Sequence, residues 1–221
     1  MRAYGLPAVC VNAMAAVALL LWLSVAQAGT QPIRILAFGA SITAGYGLDV
    51  ADSLPAQLEA ALRAHGVDAT VINGGVSGDT SAGGLARLDW SLADNPDLVI
   101  LDLGGNDALR AIDPKTTEAN LDAIVSRLKA EKRGVLIAGM LAPPNLGAEY
   151  QAAFNAVFPA VAARYDVTLY PFLLDGVVAD PALNQEDGIH PNAAGVKVIV
   201  ARMLPSVLQA IQRLDRKASG S

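Results

Sequence analysis

Ser41, Asp187 and His190 are the residue types that acyl transfer through a covalent intermediate requires: a hydroxyl to attack, an imidazole to take its proton, and a carboxylate to orient the ring. Ser41 sits in FGASITAGYG, directly after an apolar run and among small residues. Alone, a serine hydroxyl is a weak nucleophile, and a positioned base contributes typically about 10²- to 10⁴-fold. The chain has 2 histidines. His65, in RAHGV, falls at the predicted end of a helix beside its glycine stop, where dipole and capping effects account for an imidazole. That leaves His190, in DGIHP, as the base. Asp187 stands three residues earlier, within at most about 10 Å along the backbone, on a turn stiffened by Pro191. The same Asp and His could instead be two metal ligands, but no third or fourth ligand stands near them in sequence, so a catalytic zinc is not expected.

Donors aimed at the developing oxyanion are the second requirement. Gly78, in NGGVSGDTS, lacks a β-carbon and can bring its backbone N–H close to a ligand, and Asn106, in GGND, can donate through its side-chain amide. The N–H of Ser41 is a third candidate. Glycine and asparagine after strands are also ordinary turn formers, so each motif taken singly is structural more often than catalytic, and only the four together specify a site. Asp79 reads as the N-cap of a helix beginning at Thr80, Asp107 as the cap of its own short turn, and Ser77 and Ser81 as turn or helix-start residues. Asp102, inside an apolar strand, reads as a hydrogen-bonded structural carboxylate rather than a second triad acid. FGASITAGYG is not a P-loop, because five residues separate Gly39 from Gly45 and no lysine follows, and Thr43 occupies the last glycine position of a G-x-S-x-G elbow.

These groups need a scaffold that brings distant segments to one place. Five short apolar runs bounded by turn residues, at 33–38, 69–72, 98–103, 135–140 and 167–170, predict buried strands. Helical stripes separate them. Leu54, Leu58 and Leu62 share a face, with Glu59 and Arg63 paired opposite and a stop at Gly66. Leu121, Ile124, Val125 and Leu128 form a second stripe. Tyr150, Phe154, Val157 and Val161 form a third, with a kink expected at Pro159, and Val196, Val200, Leu204 and Leu208 a fourth, interrupted at Pro205. Continuous apolar strands alternating with helices predict a three-layer α/β/α sandwich around a parallel sheet. Ligands of such sheets bind beyond the carboxyl ends of the strands, and Ser41, Gly78, Asn106 and the Asp187–His190 loop would all line that rim.

Residues 1–28 read as a secretory signal peptide, from Arg2, the apolar stretch at 13–23 and AQA at 26–28, with cleavage expected after Ala28. An uncleaved anchor is the alternative; no second apolar stretch is expected to span a bilayer, so cleavage would leave no stable membrane insertion. The remainder suits one domain over 29–214, followed by a polar tail at 215–221. Cys10, the 1 cysteine, would leave with the leader, so the mature chain has no disulfide. With 16 basic against 21 acidic residues and no basic run, nucleic acid is not an expected partner. A monomer in the periplasm or outside the cell is expected.

FGASITAGYG, NGGVSGDTS, GGND and DGIHP together resemble the four blocks of the SGNH (GDSL) hydrolase family, with order and spacing similar to its bacterial periplasmic arylesterase, acyl-CoA thioesterase and lysophospholipase subgroup. The likeness runs from about Ile33 to the last helix and includes DALR after Asn106 and YPF at 170–172. It implies a flavodoxin-like sheet of five parallel strands and no cofactor. Carried over by position, Ser41 matches the nucleophile, Gly78 and Asn106 the oxyanion donors, and Asp187 and His190 the rest of the triad; Ala40 departs from the family motif, which has Asp there. The implied reaction is acylation of Ser41 by a small acyl ester or thioester, loss of the alcohol or thiol, and hydrolysis by a His190-activated water. Leu109, Ile112, Pro143, Pro144 and Leu146, in DALRAID and LAPPNLG, read as an apolar acyl-chain groove or, equally, as loop anchors. A carbohydrate acetylesterase on the same scaffold and a non-catalytic flavodoxin-like binding module are the competing readings.

Overall fold

The run at 33–38 becomes strand β1 (Ile33–Gly39), whose side chains go alternately to two cores. Ile35 and Ala37 pack in a layer with Leu58, Leu62 and Val200, while Leu36 and Phe38 pack with Leu121, Ile124 and Phe154. Burial on both faces is why the strand reads as an unbroken apolar run. The computed structural model describes residues 31–218; the predicted leader, Cys10 and the cleavage point after Ala28 lie outside the described residues.

Four further strands, β2 (Ala69–Gly75), β3 (Leu98–Asp102), β4 (Gly134–Ala138) and β5 (Thr168–Tyr170), join β1 in a wholly parallel sheet of order β2-β1-β3-β4-β5. This is the flavodoxin-like order, whose reversal point lies between β1 and β3. The expected strand ends shift where side chains give no apolar signal. β2 runs past residue 72 because Asn73, Gly74 and Gly75 stay paired with Ala37, Phe38 and Gly39. β3 stops at Asp102 and β4 at Ala138, each short of the end of its apolar run.

Helices α1 (Ser41–Ala44), α2 (Leu54–Ala64), α3 (Ser81–Ala86), α4 (Leu88–Ser91), α5 (Gly105–Leu109), α6 (Pro114–Ala130), α7 (Ala148–Tyr165) and α8 (Ala193–Ala218) cover the two faces. α2 and α8 share the first core; α6 and α7 share the second. The Glu59–Arg63 pair forms at 2.9 Å on α2, and Gly66, at φ +77°, ends that helix. His65 donates locally, from Nδ1–H to the Ala61 carbonyl at 2.8 Å, a structural contact at the end of α2. Pro159 and Pro205 do not interrupt their helices: α7 and α8 continue through them, held by core side chains on both sides of each proline such as Phe154, Val161, Met203 and Val207.

One sequence expectation, that no second stretch is apolar enough to span a bilayer, fails on length and composition alone. Residues 193–214 of α8 are long and apolar enough, by length and composition, to cross a membrane. The packing explains the composition: Val196, Ile199, Val200, Met203 and Val207 are buried against α2, β4 and β5, so half of the window lies inside the fold.

Candidate active site

β1 ends at Gly39, and α1 starts two residues later with Ser41 at its first position, so the N–H of Ser41 has no intrahelical partner. The small residues around Ser41 have distinct tasks. A β-carbon on Gly75 would collide with the backbone of Thr43 and Ala44, and one on Gly39 would lie 2.8 Å from the carbonyl and carboxylate oxygens of Asp102. Strand ends and α1 are therefore in close backbone contact. The buried Thr43 hydroxyl donates to Asp102 Oδ2 at 2.7 Å, tying α1 to the end of β3.

From the other side of the chain, His190 Nε2 lies 2.9 Å from Ser41 Oγ, and His190 Nδ1 lies 2.6 Å from Asp187 Oδ2. With Nδ1–H donating to the carboxylate, Nε2 is left to accept the serine proton. Asp187 Oδ1 also accepts the backbone N–H groups of Ile189 at 2.9 Å and His190 at 3.0 Å. These bonds, the His190 N–H and ring first, hold the Asp187 carboxyl down at about 2. Its favourable contribution is present above the ordinary carboxylate range and is lost as pH falls through about 2, so the group is ionised at neutral pH. Gln185, which sequence reading passed over, donates Nε2 to the Tyr46 carbonyl at 2.8 Å and to the Pro191 carbonyl at 3.0 Å. It staples the segment after α1 to the segment after His190. The Tyr46 ring lies 4.6 Å from the imidazole.

Gly78 has φ +85°, and the space where its β-carbon would stand is open apart from Arg110 Nη2 at 3.8 Å. Glycine is thus favoured here by the left-handed backbone, in addition to any room it leaves for a ligand. Arg110 Nη2 donates to the Gly78 carbonyl at 2.9 Å, and Asn106 Nδ2 donates to the neighbouring Asp79 carbonyl at 2.8 Å. Asn106 and Arg110 thereby hold the two consecutive carbonyls of Gly78 and Asp79.

Two capping assignments are corrected. Thr80, not Asp79, caps α3, accepting from the Gly83 N–H at 3.3 Å. Asp79 instead pairs with Arg87 at 2.5 Å, and Arg87 Nη2 donates to the Gly39 carbonyl at 2.9 Å while its guanidinium lies 4.3 Å from the Phe38 ring. Arg87 therefore latches the end of β1, just before Ser41, to the loop that carries Gly78. Asp107 is fully buried and caps α3 rather than its own turn, accepting from Ser81 N–H at 2.8 Å, Ser81 Oγ at 2.5 Å and Thr117 Oγ1 at 3.1 Å.

Burial pushes the Asp102 carboxyl up to about 7, with the Thr43 hydroxyl working in the opposite direction. The folded chain then keeps a proton that the unfolded chain has already released, so stability falls as pH rises from about 4 to about 7. Asp102→Asn, which retains an oxygen to accept from Thr43, is expected to remove that decline. Urea midpoints of the two proteins should diverge in the variant's favour across this window; parallel profiles would show that Asp102 does not titrate there.

Leu109 and Ile112 lie after β3, and Pro143, Pro144 and Leu146 after the neighbouring β4, the last two on the short 3₁₀ turn Pro144–Leu146. Leu109 is exposed by more than half, Pro144 is exposed, and Ile112, Pro143 and Leu146 are half-buried. The Ile112 carbonyl accepts the Tyr150 hydroxyl at 2.8 Å, an anchoring contact. A cavity of about 290 Å³ lies away from all of these, at the amino ends of β4 and β5 between Arg133, Asp166, Thr168 and Arg213. Among the described residues no group of three or more His, Cys, Asp and Glu is placed to hold a metal ion.

A flavodoxin-like sheet with a carboxylate, an imidazole and a hydroxyl in series at its carboxyl edge is the layout of a serine esterase. The chain belongs to the GDSL-like lipase/acylhydrolase family, whose profile matches residues 37–198. It is 42% identical over 182 residues to esterase TesA of Pseudomonas aeruginosa, covering 82% of this chain and 90% of that protein. It is 39% identical over 159 residues to thioesterase 1/protease 1/lysophospholipase L1 of Escherichia coli, covering 72% of this chain and 75% of that protein. The crystal structure of TesA superposes with a TM-score of 0.77 at 41% identity, covering 80% of this chain and 99% of that one.

Proposed function

We propose that the protein hydrolyses carboxylic esters and thioesters of small acyl substrates through an acyl-enzyme on Ser41. The observation that carries this reading is the unbroken relay from Asp187 through His190 to Ser41, at 2.6 and 2.9 Å. Ser41 Oγ attacks the acyl carbon as His190 Nε2 takes its proton, and the same proton passes to the departing alkoxide or thiolate when the ester bond breaks. Water then attacks the acyl-enzyme, gives its proton to His190, and releases the acid as Ser41 recovers its hydrogen. The Ser41 and Gly78 N–H groups and the second Asn106 amide hydrogen, the first being given to Asp79, serve the oxyanion. Names borne by the relatives, esterase and thioesterase/lysophospholipase, support the bond type.

Leu109, Ile112, Pro143, Pro144 and Leu146 lie in the segments that follow the adjacent strands β3 and β4 and form the acyl side of the site in this reading. Residues 1–28 direct export and are removed after Ala28, leaving the domain at 29–214 in the periplasm or outside the cell. Rates on p-nitrophenyl esters of rising acyl length, measured beside acetylated sugars, test the assignment on protein recovered from the periplasm. Turnover that persists or rises beyond acetate is expected, with Gly29 as the first residue of the recovered chain. Strict preference for acetyl groups and acetylated sugars would transfer the protein to the carbohydrate acetylesterase reading, and a chain still beginning at Met1 would replace the cleaved leader by an anchor.

A further inference from the structure

Nine arginines have described side chains, and eight of them stand within ion-pair distance of a carboxylate. Arg110 is the exception: among the described residues it has no carboxylate partner, and its hydrogen bond runs from Nη2 to the Gly78 carbonyl. In a chain with 21 acidic against 16 basic residues, an unpaired guanidinium is not a sample of a generally basic surface. Its place is equally particular. Arg110 is exposed, ends α5 only four residues after Asn106, and brings Nη2 within 3.8 Å of the β-carbon position of Gly78. It therefore stands against the Gly78 peptide, whose N–H is assigned to the oxyanion, one helical turn after Asn106.

A guanidinium offers more N–H donors than the one given to Gly78, in a planar fork that matches phosphate or carboxylate oxygens, and it stays charged at any working pH. The bond to the Gly78 carbonyl limits the rotamer freedom that an anion would otherwise have to restrict. We infer that Arg110 is a specificity-determining residue that selects esters carrying a phosphate or carboxylate within a few bonds of the scissile carbonyl. This rests on the ester-hydrolase reading above and narrows its substrate class. A glycerophosphate leaving group fits, because a three-carbon glycerol separates its phosphate from the ester. The long pantetheine arm of an acyl-CoA holds its phosphates too far away to reach the same guanidinium, so its thioester would gain nothing from Arg110.

The test compares three soluble substrates with one acyl chain: 1-hexanoyl-glycerol, 3-hexanoyl-glycerate and 1-hexanoyl-glycerol 3-phosphate. The native enzyme is expected to favour at least one of the two anionic esters over the neutral one by about tenfold or more in kcat/KM, chiefly through KM, and added salt should shrink the preference. Which anion gains more identifies phosphate or carboxylate as the natural group. Arg110→Gln should abolish the preference, and Arg110→Lys, which keeps the charge without the fork, should restore part of it. Equal rates on all three esters in the native enzyme would overturn the inference. So would an Arg110→Gln loss of the same size on every ester, because that pattern means the side chain only props the Gly78 peptide. Absence of turnover on all three by an enzyme that still hydrolyses p-nitrophenyl hexanoate would overturn this inference alone, whereas absence of turnover on that ester as well would remove the hydrolase reading itself.

Discussion

Ser41→Ala is expected to lower turnover of p-nitrophenyl esters by about 10⁴-fold or more while leaving the unfolding midpoint close to that of the native protein. The size follows from what the hydroxyl alone supplies: without it no acyl-enzyme forms, and only binding and the oxyanion donors still act on a direct attack by water. Stability is spared because the hydroxyl's hydrogen bond is the functional one to His190 Nε2. α1 is held by other means, through Thr43 on Asp102 and the close backbone contact at Gly75. The native protein should also take up a fluorophosphonate on the peptide that contains Ser41, and the variant should not. A variant that keeps more than about a tenth of native turnover would remove Ser41 from the reaction.

The reasons this serine could be picked out in the sequence are physical. A base competent near neutral pH is a rare side chain, one of the two histidines had a sufficient local explanation, and the other had a carboxylate within one turn. The sheet was legible for a similar reason, since strands buried on both faces must be apolar throughout. Signals failed where a contact reaches beyond one helical turn along the chain. Asp79 and Asp107 obeyed a local capping rule on paper, but tertiary partners, Arg87 and the first residue of α3, took the carboxylates instead. Gln185 and Tyr46 are 139 residues apart, and nothing in either neighbourhood announces the bond between them. Nothing local distinguishes Arg87 and Arg110 from other arginines; only the fold shows which backbone carbonyls they hold.

Asn106→Ala is expected to cost about 10²- to 10³-fold in kcat with little change in KM, the loss associated with removing one oxyanion donor. In the proposed reaction the amide has two separable tasks. One hydrogen goes to the Asp79 carbonyl and fixes the loop that bears Gly78; the other is left for the transition state. Loop placement does not depend on Asn106 alone, because the Asp79–Arg87 pair holds it from one side and Arg110 holds the Gly78 carbonyl from the other. Losing the amide's structural bond should therefore cost only about 1 kcal/mol of stability, read from a denaturant midpoint. The donor lost to the oxyanion cannot be replaced by water without reorganising the site, so the larger effect falls on the barrier. A rise in KM at unchanged kcat would mean that Asn106 binds the ground-state ester as firmly as the transition state, and its place in the oxyanion site would have to be given up.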